Sequence, residues 1–379
     1  MEDKHMLMIP GPTPVPEKVL ISLGKHPIGH RSGDFGKVIA EINQNLKWLH
    51  QTKNEVLSLN VSGTGAMEAG MINFLSPGDR VLVGVNGKFG DRWAQICEVF
   101  GLQTERITAD WGTPLDTEEI RSKLEADTNK EIKAVVITHS ETSAGVLNDL
   151  ETINKHVKAH GEALIIVDAV TSLGAYNLPV DDWGLDVVAS GSQKGYMIPP
   201  GMGFISVSDK AWKAYETSKF PRFYMDLGKY KKANAKDSTP FTPPINLMFG
   251  LQTALQMMQR EGLENIFARH TRLTNATRAA ARAMGLELLA PDDAASTAVT
   301  AIKTDDAEAI RKTMRQKYDI ALAGGQDHLK GKIFRIGHLG FISDRDVLMT
   351  VSCLEATLTE LGHDLEPKSG VKAAAAALV

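Results

Sequence analysis

The sequence predicts an α/β protein. A large domain is built on a mostly parallel sheet covered by helices, and a small α+β domain follows it. Three observations predict this. Between about Asn54 and Ser208, short β-branched apolar runs alternate with helical stretches. After Gly285 the pattern changes to a second, shorter set of strands and helices. The chain has 379 residues, and at about 150 residues per domain that makes two or three domains.

The strands are expected at Val56–Val61, Arg80–Val85, Thr104–Thr108, Ile132–Thr138, Ala163–Asp168, Asp186–Ser190 and Gly203–Val207. Helical stretches at Ala66–Leu75, Phe89–Phe100, Thr117–Ala126 and Asp149–His160 separate them. Runs apolar on both faces and spaced by helices belong in a parallel sheet buried on both sides. Asp34–Gln51 has helical periodicity ahead of the sheet, and Ile245–Gly285 is a long helical stretch. Phe220–Pro244, rich in Lys, Tyr and Pro, is expected as an irregular loop. Thr297–Ile302, a segment near Ala321 and Lys332–Ile336 read as strands, with helices at Asp305–Gln316 and Asp344–Leu361. The organisation expected is an N-terminal extension (1–25), a large domain (26–262), a connecting helix (263–285), the small domain (286–364) and a flexible tail (365–379).

Composition excludes several classes. Lys and Arg total 42 against 46 Asp and Glu, a net charge of −4, so a dedicated nucleic-acid binder is disfavoured. The Lys229–Lys236 run is accordingly read as a solvated loop. No run of about 18 apolar residues suggests a membrane span. The start has no secretory signal pattern, and the end is not a peroxisomal Ser-Lys-Leu. With two cysteines, Cys97 and Cys353, neither a disulfide framework nor a structural zinc site is expected, and a reducing, cytoplasmic setting is. His156 and His160 have helical spacing but no third ligand, so no metal is expected. No Gly-x-Ser-x-Gly elbow offers a hydrolase nucleophile.

Three motifs carry chemistry. Ser62-Gly-Thr64-Gly65-Ala66 lies between a strand and a helix, where small residues and a helix N-terminus suit a phosphate. Glu68 stands where a dinucleotide fingerprint needs its third Gly, and no P-loop Gly-Lys-Ser/Thr occurs. Asp168 ends a buried strand, at the sheet edge where α/β proteins bind ligands. Lys194, in Gly191-Ser-Gln193-Lys194-Gly195, ends the next strand, an unusual place for a surface lysine. A desolvated lysine has a depressed pKa and can form a Schiff base. Pyridoxal 5′-phosphate (PLP) needs all three: a phosphate site, a carboxylate for its ring nitrogen and a lysine. Arg335, within an apolar run, is expected to hold an anion. Arg31 is a further substrate-site candidate.

The chain resembles the class V, fold type I, PLP-dependent aminotransferases of the alanine–glyoxylate and serine–glyoxylate group. The resemblance rests on Ile9-Pro-Gly-Pro-Thr13, Ser62–Ala66, Asn86-Gly-Lys-Phe-Gly90, Glu141-Thr-Ser-Ala-Gly145, Val167-Asp168, Gly191–Lys194 and Phe334-Arg-Ile-Gly-His-Leu-Gly340. It implies that Lys194 bonds the cofactor and acts as base, and that Asp168 pairs with the ring nitrogen. Thr142 would bond the phenolic oxygen, and Thr64, Gly65, Ala66 and Gln193 would hold the phosphate. Phe89 would stack on the ring, where relatives often carry Trp. Arg335 would clamp the substrate carboxylate. Thr242 would reach the phosphate of the neighbouring subunit in a homodimer with shared sites. Relatives often have Tyr three residues before that Thr, and Thr239 stands here. The implied reaction moves the amino group of L-alanine or L-serine to glyoxylate. The alternatives are a cysteine desulfurase-like enzyme, which needs a loop cysteine, and a non-catalytic PLP-fold scaffold.

Overall fold

In a computed structural model, which describes residues 5–379, the alternating runs fold as a layered α/β unit. A short strand β1 (Met6–Met8) and helix α1 (Glu17–Leu23) precede the long helix α2 (Gly33–His50). The alternation then runs β2 (Val56–Leu59), α3 (Gly63–Ile72), β3 (Arg80–Val85), α4 (Lys88–Val99), β4 (Gln103–Thr108), α5 (Thr117–Ala126) and β5 (Ile132–Thr138). A hairpin of β6 (Ser140–Glu141) and β7 (Val146–Leu147) leads to α6 (Leu150–His160), β8 (Leu164–Asp168), α7 (Val180–Trp183), β9 (Val187–Gly191) and β10 (Gly203–Val207).

The large sheet has the order β2-β10-β9-β8-β5-β3-β4. The pairs from β9 across to β4 are parallel, and β10 is antiparallel to both its neighbours. Every residue of β8, β9 and β10 is buried, because helices cover both faces. The pleat divides each strand between two cores. On β8, Ile165 and Val167 face the layer that includes α2, α5 and α6. Leu164 and Ile166 face the layer that includes α3, α4 and a later helix, α8 (Asp209–Thr217). Thr138, Asp168 and Ala189 are neighbours in register, so the ends of β5, β8 and β9 form one edge. The N-termini of α3 and α4 open on the same edge. The first amides of α4 are taken by Ser143 Oγ and the Glu141 carboxylate, whereas a helix N-terminus such as that of α3 can offer N–H groups to an anion.

Residues 220–244, expected as irregular, contain α9 (Leu227–Asn234). Asp226 caps it, and Leu227 and Tyr230, three apart, are buried while the lysines face outward. The helices α10 (Ile245–Glu261) and α11 (Leu263–Ala283) break at Gly262.

The small domain contains β11 (Glu287–Leu288), β12 (Val299–Lys303), α12 (Ala307–Tyr318), β13 (Ile320–Gly324), β14 (Ile333–Gly337) and α13 (Asp344–Glu360). Its sheet has the order β1-β13-β14-β12-β11, so the first strand of the chain joins it, parallel to β13. The described part of residues 1–25 is therefore not a peripheral extension. Met8 is fully buried in the small domain's core, and α1 packs on α10.

Residues 365–379, expected as a flexible tail, include a helix, α14 (Ser369–Ala377), packed on α11 and α13. Alanine is the strongest helix former, and small residues allow a close approach. Gly370 lies so near that a Cβ there would meet Met284 Sδ at 2.7 Å. The amides of Lys368 and Val371 donate to the Glu355 carboxylate. Among the described residues, no helix is long and apolar enough to cross a membrane.

Candidate active site

The shared sheet edge holds a cavity of about 310 Å³. It is walled by Thr64, Phe89, Thr142, Asp168, Gln193 and Lys194, six residues that the sequence singled out. Gly11 and Pro12 close it from the N-terminal segment.

Lys194 follows β9 on a tight loop and is only 8% exposed. Its Nζ donates to the Pro10 carbonyl at 2.5 Å, and its own carbonyl accepts from Thr13 Oγ1 at 3.0 Å. The Thr13 amide donates to the Gln193 carbonyl at 3.1 Å, so the N-terminal segment is laced to the lysine loop. Gly337 makes this route possible, because a Cβ there would sit 2.2 Å from the Ile9 backbone. Burial lowers the Lys194 ammonium to about 8. The Asp168 carboxylate opposes that shift, while the Arg335 and Arg92 charges add to it.

Asp168 is buried at the end of β8, and its Oδ1 accepts from the Val170 amide at 2.8 Å. Burial raises its carboxyl to about 6 against that hydrogen bond. A protonated ring nitrogen opposite it would favour the carboxylate. Thr142 Oγ1 lies 2.7 Å from Thr171 Oγ1, and the Thr142 carbonyl accepts from Arg335 Nη1 at 2.9 Å.

Arg335 projects from β14 and is buried. Its Nε and Nη2 donate to the Gly324 carbonyl at 3.0 and 2.7 Å. These bonds go to backbone carbonyls rather than to a carboxylate. They use three of the five N–H donors of a guanidinium and leave two for a ligand. Burial lowers Arg335 to about 10, so it stays cationic at neutral pH.

The loop residues lining the cavity, Ser62, Gly63 and Thr64, sit two residues earlier than the expected Thr64, Gly65 and Ala66. Helix α3 begins at Gly63, and Ser62 is its N-cap. Ser62 Oγ takes the Gly65 amide at 3.4 Å, and the Ser62 carbonyl takes the Ala66 amide at 3.0 Å. Ala66 lies in the core and does not line the cavity, nor does Gly65. Ser62, Gly63 and Thr64 do. Gln193, partly buried, lines the cavity beside them, and its Oε1 is buried without a partner.

Besides Gly65 and Ala66, three expected residues do not line the cavity: Arg335, which meets its wall through the Thr142 carbonyl, and Arg31 and Thr242. Arg31 is exposed and donates to Ser238 Oγ at 2.8 Å and to the Thr239 carbonyl. Thr242 is exposed, with its carbonyl held by Asn60 Nδ2 at 2.9 Å. Arg31 and Thr242 thus share one surface segment. Neither cysteine stands on a loop at the cavity. Cys97 is buried in α4, which pushes its thiol up to about 12, and Cys353 lies in α13. His160 pairs with Asp127 at 3.1 Å. Among the described residues, no three His, Cys, Asp or Glu are grouped to hold a metal ion.

Sequence reasoning missed Arg92 and Pro10 and gave Glu141 no role. Arg92 lines the cavity, three residues beyond Phe89 on α4, and that helical spacing was its only signal. Glu141 is fully buried. Its carboxylate accepts from the Phe89, Gly90 and Ser143 amides at 3.0 Å and from Ser143 Oγ at 2.6 Å. Glu141 thereby fixes the first turn of α4 and the hairpin that carries Thr142.

These residues fit PLP. The lysine, the buried carboxylate, the N-terminus of α3 with Gln193 beside it, and an aromatic wall all border one space. The family model for aminotransferase class-V matches residues 11–337. The chain is 67% identical to a protein named soluble hydrogenase 42 kDa subunit from Anabaena cylindrica, covering 100% of this chain and 99% of that one. It is 37% identical to L-aspartate–glyoxylate aminotransferase from Paracoccus denitrificans, over 99% and 96% of the two chains. To serine–glyoxylate aminotransferase from Methylorubrum extorquens it is 36% identical, again over 99% and 96%. The crystal structure of alanine–glyoxylate aminotransferase from Nostoc sp. superposes with a TM-score of 0.89 at 30% identity, over 94% and 96%. The chain belongs to the class V aminotransferases, a PLP-dependent family with this α/β fold.

Proposed function

We propose that the protein moves the amino group of L-alanine or L-serine to glyoxylate, giving pyruvate or hydroxypyruvate plus glycine. One observation carries the reading: Lys194 and Asp168 face a single cavity, with the cationic Arg335 held against its wall at Thr142. Relatives named for different donors share glyoxylate as acceptor, which supports that half of the reaction.

When bound, PLP supplies an aldehyde that takes the amino group and an electron-poor ring that accommodates negative charge. The chain's own residues do the rest. Arg335 orients the donor carboxylate through its two remaining N–H groups. Lys194 Nζ, neutral for part of the time because burial lowers its pKa, takes the proton from the donor Cα and later gives it up on the cofactor side. Asp168 holds a proton on the ring nitrogen. Thr142 bonds the phenolic oxygen, and Phe89 covers the ring. The buried walls around Lys194 keep water away.

The working unit is a homodimer in which Thr242 of each subunit reaches the phosphate held by the other. The exposure of Thr242, with Leu20, Ile21 and Phe223 also exposed, supports this. A cytoplasmic setting fits two unpaired cysteines. The relative named a hydrogenase subunit supports a second reading, a PLP-fold subunit without its own turnover.

A visible absorption titration separates the readings. L-alanine, L-serine, L-aspartate and L-cysteine are added singly to the PLP-loaded protein, followed by glyoxylate. Bleaching by alanine or serine and recovery with glyoxylate are expected, with parallel double-reciprocal plots in steady state. A cofactor band that no amino acid bleaches would establish the subunit reading instead. Bleaching by aspartate alone would overturn the donor assignment.

A further inference from the structure

One charged group lining the cavity has no part in the reaction described above. Arg92 projects from α4 just past its first turn, on the same helical face as Phe89. The backbone of that turn is fixed, because the Phe89 and Gly90 amides both donate to Glu141 Oε2 at 3.0 Å. From this support the Arg92 guanidinium lies over the Phe89 ring, 4.9 Å from its centroid. Its Nη1 also donates to Thr64 Oγ1 at 3.1 Å, bridging α4 to the first turn of α3.

The donor inventory gives this bridge a direction. A hydroxyl has one hydrogen to give and two lone pairs, and a guanidinium can only donate. With Arg92 occupying a lone pair, the Thr64 hydroxyl keeps its hydrogen for another partner. Thr64 lines the cavity beside Ser62, Gly63 and Gln193, where the α3 N-terminus favours an anion.

We propose that Arg92 is a positioning residue for the cofactor. It commits the Thr64 hydroxyl to donate to the phosphate, and it fixes the plane of the Phe89 ring on which the pyridine stacks. The inference rests on PLP occupying this cavity and is independent of which amino acid is the donor.

The test uses the full-length apoprotein and pyridoxamine phosphate, which binds without a covalent bond to Lys194. Affinity and visible circular dichroism are measured for wild type, Arg92→Met, Arg92→Lys, Thr64→Val and the Arg92→Met/Thr64→Val double variant. A hydrogen bond to a charged partner predicts that Arg92→Met weakens binding about ten- to thirtyfold. Thr64→Val should weaken it by a similar factor, and the double variant should be within about threefold of the weaker single, because the two residues act as one unit. Pyridoxamine, which lacks the phosphate, should lose far less affinity from Arg92→Met. Arg92→Lys should recover part of the affinity but not the dichroism, since an ammonium lacks the planar stacking face. If Arg92→Met fails to fold, Thr64→Val measured in the Arg92→Lys background gives the same cycle. Additive losses, or an Arg92→Met affinity within twofold of wild type, would overturn the proposal. So would unchanged cofactor binding with a raised donor KM, which would make Arg92 a substrate group. No amino acid enters the binding measurement, so failure of the glyoxylate reading would leave this result standing.

Discussion

Replacing Gly11 by alanine should disable the lysine without touching it. Gly11 has φ +136°, a conformation that L side chains rarely adopt. A Cβ there would lie 2.7 Å from Lys194 Cδ and Cε and 2.8 Å from Nζ. Carbon atoms prefer separations of about 3.5–4.0 Å, so the Lys194 side chain must retreat by roughly 1 Å. It is buried and tied to the Pro10 carbonyl, so the shift moves the amine out of its working position. Misplacement by about 1 Å costs on the order of 10²-fold in rate. The backbone conformation adds about 1–3 kcal/mol of strain to the folded state. The assay is the single-turnover bleaching rate with saturating donor, measured beside a thermal melt. Gly78→Ala is the control, because Gly78 has φ +87° with nothing within 4 Å of the added Cβ. It carries the backbone strain without the contact, so its melting temperature should fall while its bleaching rate stays at wild type. A Gly11→Ala rate within about threefold of wild type would refute the reasoning, since a 1 Å displacement cannot be that harmless.

Lys194→Ala should abolish turnover while the far-ultraviolet dichroism and cofactor-dependent stabilisation survive. Wild-type activity in that variant would disprove the assignment of the base. Reconstitution of the apoprotein with PLP should speed up about tenfold per pH unit below 8 and level off above it. Only the neutral amine attacks the aldehyde, and Lys194 titrates at about 8. A plateau reached only near pH 10 would show an unperturbed lysine. Arg335→Gln should lower kcat/KM for donor and acceptor by roughly 10²-fold, from loss of a charge-assisted fork. Arg335→Lys should not restore it, because an ammonium cannot present two parallel donors. Recovery by lysine would show that charge alone suffices.

The legible parts of the site were those whose signal is local. β8 and β9 are short, fully buried and mostly apolar, so Asp168 and Lys194 could be placed at or just past strand ends without knowing their neighbours. Arg335 stood out because an arginine inside an apolar strand needs polar partners, and the partners it finds here, the Gly324 and Thr142 carbonyls, lie far away in sequence or on a neighbouring strand. The cradle was found but shifted, because the motif Ser62–Ala66 does not announce that the helix starts at Gly63. Arg31 was proposed from its loop setting, and its hydrogen bonds to residues 238 and 239 depend on chain far away in sequence. Pro10 and Gly11 act on Lys194 across an equally long separation. The alanine-rich α14 has too few large apolar residues to show periodicity, and it is held by packing of small groups on α11.

The strand β1 pairs with β13, about 310 residues later in the chain. During synthesis at roughly 5–20 residues per second, its edge waits on the order of 15–60 s for its partner. The stretch between β1 and the cavity carries Pro10 and Gly11, so the roof over Lys194 hangs from a strand that is among the last to be seated. The surroundings of Lys194 are therefore assembled in two instalments. The loop that bears it can form when the large sheet closes, and the segment that covers it is secured only when the small domain arrives. A nascent chain stopped before Ile320 would expose a lysine without its cover. A newly completed chain would gain cofactor competence at the moment its first and last thirds join.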